Sequence, residues 1–306
     1  MIPPLPAADV AFEPGHGFPR PRWDALWQWV DEHVAEADRH EAACALERAW
    51  FDRLARHLGG AYAVAESDNF LLLSEPGMVE ACKFLEMAET TLRFVEDALE
   101  DARQTGAFGK VPVIVFTEDD DFYDYLSQFF GEGNYGRFAG VCVREGDVHI
   151  ALRCPEDWTR RTFAHELGHA CLAHLSLPEW LEEGVVEVVT RRVVDEDPLH
   201  LNAVTRVRHY AFWSWHGLTA FWSGTSFGRP DELQHLSYEL AEALVRLLNA
   251  QDPARFNEFL LAADRADAGE AACGEFFGRS LVAVVAKLLG EGPWIPPTNS
   301  AGDTGA

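Results

Sequence analysis

Basic residues are scarce in this chain: 25 Lys and Arg stand against 50 Asp and Glu in 306 residues, a formal net charge of -25. Such a surface repels phosphate backbones and anionic membranes and supplies no basic stripe, so nucleic acid is not an expected partner. The acidity is read as a solvated surface that keeps the protein soluble. Long apolar runs are missing too. Nothing approaches the roughly 18 residues a membrane span needs, and the first residues, Met1-Ile2-Pro3-Pro4-Leu5-Pro6, have no basic stretch leading into an apolar one. Neither a membrane span nor a secretory leader is expected. Cys-x-x-Cys pairs are also absent. Cys44, Cys82, Cys142, Cys154, Cys171 and Cys273 are scattered, most of them in apolar runs where a small thiol packs well, which points to a reducing, cytoplasmic setting.

What is present is enough to build a core. Hydrophobic residues make up 48% of the chain, with 10 Trp and 20 Phe, enough for one large or two modest domains. No internal repeat is visible. Residues 1–22 hold Pro3, Pro4, Pro6, Pro14, Pro19 and Pro21, too many fixed φ angles for a helix or central strand, and read as an arm. Over 23–59 apolar residues recur at helical spacing up to Gly59-Gly60, so one long helix or two shorter ones are predicted.

Residues 60–154 read as an α+β subdomain. A strand or hairpin turns around Ser67-Asp68-Asn69, a helix follows from about Met78 to Arg103, and Val111 to Phe116 is a β-branched apolar run typical of a strand buried on both faces. Asp119 to Phe130 reads as a helix with three acids in its first turn, and Gly140–Arg144 and Val148–Leu152 read as a hairpin around Glu145-Gly146-Asp147. After Pro155 strand signals nearly vanish, and 155–292 reads as a helical subdomain with helices near 156–174, 179–194, 198–211, 231–249, 253–264 and 279–289. A frayed tail over 293–306 completes the expectation, and the fold class is α+β.

The chemistry gathers at the junction, in His165-Glu166-Leu167-Gly168-His169. On a helix the two histidines lie one turn apart, with Cβ atoms about 5–6 Å apart, which suits two imidazoles on one tetrahedral ion. Glu166 then projects beside the ion without binding it, the offset a general base needs to take a proton from water there. Phe163, Ala164, Leu167 and Cys171 form an apolar stripe on the opposite side. A second helix opens after a short loop at Leu177-Pro178-Glu179-Trp180-Leu181-Glu182-Glu183-Gly184, and any of Glu179, Glu182 or Glu183 can supply a third ligand. Glu183 and Glu187, one turn apart on the flank of that helix, suit a ligand and an outer supporting acid.

The combination of His-Glu-x-x-His with Leu-Pro-x-Trp-Leu-x-Glu-Gly resembles the gluzincin zinc metallopeptidases of the peptidase MA-like group, over roughly residues 60–290. The resemblance implies one zinc ion, with Glu183 as third ligand and thirteen residues separating it from His169. That spacing is shorter than in thermolysin-type enzymes and at home among compact gluzincins. A metzincin would need Gly at 172 and His at 175, but both are Leu, and His174 lies about 140° around the helix from His169. A structural zinc site would close the fourth position with Cys or His, and Cys171 is on the wrong side.

The resemblance further implies a Tyr at the start of a later helix, facing the metal, which maps to Tyr238 as the donor to a developing oxyanion, with His235 able to share the role. The aromatic, glycine-hinged stretch from Ala211 to Gly224 is mostly packing, with a substrate subsite as the competing reading. His149, in the strand leading to the histidine helix, is a further substrate-side candidate. That strand, 148–152, is expected at the sheet edge, where an extended peptide can dock on its backbone. The expected function is therefore hydrolysis of peptide or amide bonds in a peptide or protein substrate. A catalytically silent binding or regulatory protein on the same fold is the alternative.

Overall fold

The apolar run at Val111–Phe116 is the middle of a five-stranded sheet in this computed structural model, which describes residues 6, 11–13, 17–59, 61–75, 78–104, 109–130, 139–153, 160–229 and 231–297. Much of the expected proline-rich arm, Pro155 at the expected boundary and the tail beyond 297 lie outside the described residues. The strands are β1 (Ala63–Glu66), β2 (Phe70–Ser74), β3 (Val111–Phe116), β4 (Gly140–Val143) and β5 (His149–Arg153), in the order β1-β2-β3-β5-β4. β2, β3 and β5 run parallel, whereas β1 and β4 pair antiparallel at the two edges. Every residue of β2 and β3 is buried, which is why their sequences show no polar alternation.

Helices cover both faces of this sheet. On one side are α1 (Trp23–His33), α2 (Arg39–Leu58) and α4 (Asp119–Leu126), whose Leu26, Trp50, Phe51 and Tyr125 join Leu71, Leu73, Ile114, Phe116 and Ala151 in one core. The stretch 23–59 is thus two helices, parted where Val34 turns extended, and Gly59 ends the second at φ +99°. On the other side are α3 (Met78–Leu99) and α5 (Arg160–Leu172), where Phe163 meets the rings of Phe70 and Phe84 at 5.7 and 5.3 Å.

One expectation changes here. The hairpin is present, but β5 is interior, hydrogen-bonded to β3 as well as β4, and the edge is β4. The reason is burial: β5 is buried over 149–152 and needs partners on both sides, whereas Val141 and Cys142 in the middle of β4 are half-buried. The described residues form two compact units, one drawn from those up to 97, from 104–130 and from 139–173, the other from 98–103 and from 174–297. The histidine helix α5 groups with the sheet, on which its apolar stripe packs.

The second unit is helical: α6 (Glu179–Val193), α7 (Ala203–His216), α8 (Thr219–Trp222), α9 (Glu232–Asn249), α10 (Pro253–Ala262), α11 (Glu270–Phe277) and α12 (Leu281–Leu289). α7 starts later than expected because the Asn202 side chain caps the N–H groups of Val204 and Thr205. It then runs on to His216 through what reads in sequence as an aromatic loop. α6 and α9 cross so closely at Gly184 that a Cβ there would fall 2.6 Å from the Ala241 carbonyl oxygen. Among the described residues no helix is long and apolar enough to cross a membrane.

Candidate metal centre

In α5 the apolar stripe is fully buried, with Phe163, Ala164, Leu167 and Cys171 at 0% exposure, and this turns His165 and His169 to the other side, half-buried. Their Nε2 atoms lie 3.2 Å apart. Two nitrogens bonded to one tetrahedral zinc at about 2.0–2.1 Å would be about 3.3–3.4 Å apart, so the pair is already spaced as two ligands of one ion. A guanidinium nitrogen of Arg144, just past β4, stands 3.3 Å from His169 Nδ1.

Glu166, between the histidines in sequence, is nearly buried, and its Oε2 accepts a hydrogen bond of 2.8 Å from the backbone N–H of Cys142 on β4. The edge strand therefore holds the carboxylate in place. Gly140 makes room for this: a Cβ there would lie 2.7 Å from Leu152 Cδ2 and 3.1 Å from Glu166 Cγ. The Cys142 thiol is pushed up to about 12, chiefly by burial and then by the Glu166 carboxylate, with Arg144 opposing. It is protonated at neutral pH and no nucleophile.

In the helical unit, Trp180, Leu181 and Val186 are fully buried and carry Glu183 and Glu187 into nearly buried positions one turn apart on α6. The Tyr238 hydroxyl, on α9, donates to Glu183 Oε1 at 3.3 Å, and the Phe227 ring packs edge-on against Tyr238 at 5.3 Å. The close crossing at Gly184, next to Glu183, is what brings that tyrosine within reach. One ligand atom from each of His165, His169 and Glu183 lies within 4.8 Å of the others, and among the described residues these form the one group spaced to hold a metal ion. Two imidazole nitrogens and a carboxylate suit zinc. Glu179 and Glu182, the other acids open as third ligand, are outside that group.

No protein-family model matches the chain, and no curated protein is significantly similar to it.

Two sequence candidates lie elsewhere. His149 is buried in the core: its Nδ1 donates to the Asp147 carbonyl and its Nε2 accepts from the Tyr125 hydroxyl, both at 2.7 Å, against the rings of Trp50 and Phe129. Strand alternation explains this placement, because residues 149 and 151 face the α1–α2 side while Leu152 faces Gly140 and the Glu166 side. Burial lowers the His149 pKa to about 4, so the ring is neutral. His235 is exposed and pairs with Glu239 at 3.3 Å.

A group missed in sequence adjoins Tyr238. Buried His209 on α7 accepts from Trp213 Nε1 at 3.2 Å, which leaves its Nε2–H to donate to Glu239 at 2.9 Å. Burial lowers the pKa of His209, with Glu239 opposing. The signal was the His-x-x-x-Trp spacing, with His209 in the segment read as a helix over 198–211 and Trp213 in the aromatic stretch that follows it.

Proposed function

We propose that the protein is a zinc-dependent hydrolase of gluzincin type that cleaves peptide or amide bonds. The observation that carries this reading is the convergence of His165 and His169, Nε2 to Nε2 at 3.2 Å, with Glu183 in the same 4.8 Å group. His165, His169 and Glu183 would hold one zinc ion, which when bound supplies a Lewis acid that makes water acidic enough to attack a carbonyl near neutral pH.

The remaining chemistry belongs to the chain. Glu166 accepts the proton of the attacking water through the carboxylate oxygen that Cys142 does not occupy, and delivers it to the leaving amine. The backbone hydrogen bond holds that oxygen in one orientation, which removes the entropic cost of finding it. Tyr238 turns its O–H toward the oxygen that becomes negative as the carbonyl carbon turns tetrahedral, from a resting position on Glu183. Peptide docking moves from β5 to β4. Cys142 directs its N–H to Glu166 rather than to β5, so the outward face of β4 runs beside the proposed base and an extended substrate would lie along it.

The deciding experiment combines metal analysis with one substitution. The purified protein should carry one zinc per chain and cleave a mixed peptide library in a chelator-sensitive way. Glu166→Gln should keep the zinc and lose at least about a hundredfold in rate. Absence of stoichiometric zinc would overturn the reading. So would a zinc-loaded protein with no chelator-sensitive cleavage, which would leave a metal-binding protein without turnover.

A further inference from the structure

A cavity of about 780 Å³ opens in the helical unit beside the first turn of α6, within the size range of small-ligand sites. Its lining includes Glu179 on α6, Thr219, Trp222 and Ser223 in and after α8, and Arg229 and Arg265. In a chain of net charge -25, two guanidinium groups line this cavity with one carboxylate, and a second carboxylate, Asp231, pairs with Arg229 from outside the lining. Both arginines are more than half exposed, so their charged ends are open to a ligand from solvent. Arg265 also donates to the Leu177 carbonyl at 3.0 Å and stands 3.9 Å from Glu179, and Arg229 pairs with Asp231 at 3.3 Å.

The walls are anchored. Gly224, at φ +80°, presses so closely on α6 that a Cβ would lie 2.8 Å from Glu179 Cβ, so neither bulk nor ordinary backbone geometry is tolerated there. Gln234 donates to the Phe227 carbonyl at 2.6 Å and Ser237 to the Ser226 hydroxyl at 2.8 Å, tying this wall to α9. The opposite wall is tied by Arg265 N–H to the Ser176 carbonyl and by Trp180 Nε1 to the Ala268 carbonyl, both at 2.9 Å. A cavity held open in this way is pre-formed, so a ligand loses little in ordering it.

Its location connects it to the proposed site twice. Glu179 precedes Glu183 by four residues, so the cavity begins one helical turn from the acid assigned to the metal. Phe227, in the segment between Gly224 and Arg229, packs against the ring of Tyr238.

We infer that this cavity is a substrate pocket for the carboxylate of a peptide, supplied by an Asp or Glu side chain or by a free C-terminus, with Arg229 and Arg265 as its counter-ions and the hydroxyl of Thr219 as a further donor. A guanidinium offers a planar fork of N–H groups that matches a carboxylate, and Trp222 gives the pocket an apolar wall for the ligand's carbon chain. Glu179 faces the same space and disfavours dianions, which selects carboxylate over phosphate. The assignment of the ligand as a peptide rests on the hydrolase reading; the preference for an anion does not.

The test uses the full-length zinc-loaded Glu166→Gln protein and three dye-labelled, alanine-based hexapeptides. One carries an internal Glu and an amidated C-terminus, one a Gln in its place, and one the Gln with a free C-terminus. The Glu peptide, the free-C-terminus peptide or both should bind about tenfold more tightly than the neutral peptide, and which of them does so identifies the source of the carboxylate. Arg229→Gln and Arg265→Gln should each erase the preference without weakening the neutral peptide. Arg265→Lys, which keeps the charge but not the fork, should retain part of it, and thermal melts verify that each variant is folded. Equal affinity for all three peptides overturns the inference, as does a preference that survives in folded Arg229→Gln and Arg265→Gln proteins. Failure of the hydrolase reading looks different: anion-selective binding would persist while wild type shows no chelator-sensitive cleavage.

Discussion

His149 shows how much one buried side chain shifts the balance between pH and stability. Its folded pKa is about 4, while in the unfolded chain it returns to about 6.5. The unfolded state therefore takes the proton first as pH falls, so the contribution is fully present above about pH 6.5 and is lost between there and 4, about 3 kcal/mol in all. Glu47, pushed up to about 8 by burial, and Asp147, raised by burial and by Glu47, act in the opposite sense. Their contribution is present below the ordinary carboxylate range and lost as pH rises. A wild-type titration alone mixes the two, so the comparison is with His149→Gln. The stability gap between wild type and variant, from urea unfolding, should shrink by about 2 kcal/mol between pH 7 and pH 5. A constant gap would show that the ring is not buried and neutral. The same residue marks a limit of sequence reading. Its position beside the histidine helix was legible, but the sheet face it takes depends on strand alternation relative to α5.

Among the elements, the crossing of α6 and α9 carries the most consequence. Gly184 closes the sequence motif around Glu183, and its function is steric: it lets α9 approach until Tyr238 reaches Glu183. Gly184→Ala should force the helices apart at a cost of about 1–3 kcal/mol and weaken zinc binding on the order of tenfold, read by thermal unfolding and by competition with a chelating dye. An unchanged melting temperature and zinc affinity would show that the crossing has slack. Periodicity made most helices legible, together with the hairpin before α5, because both patterns are local. The lateral order of strands is not local. Nothing in residues 140–152 says that β3 will claim the far side of β5 and leave β4 at the edge.

At the scale of the whole molecule, a metal bound only by the folded chain should raise its stability. Zinc at a hundredfold over its dissociation constant is worth about 2.7 kcal/mol. For a chain of this length that corresponds to several degrees in melting temperature, removed by a chelator. His165→Ala should melt at the same temperature with or without zinc. An equal zinc-dependent shift in that variant would place the ion elsewhere. The break between the two compact units at 173–174 follows packing, with α5 on the sheet and α6 among the helices that come after it.

The sequence alone determined the α+β class, the placement of His165, Glu166 and His169 on one helix with an apolar stripe behind them, and a small set of acids able to complete a metal site. These follow from patterns within a few turns of chain, where spacing dictates which side chains share a face. Tertiary structure decided that the Cys142 backbone on β4 holds Glu166, that Tyr238 reaches Glu183, and that His149 belongs to the core. It also built the arginine-lined cavity beside Glu179 from segments around 179, 219–229 and 265. The physical reason is the same in each case: these contacts join residues far apart in the chain, and their geometry is set by how closely helices and strands pack.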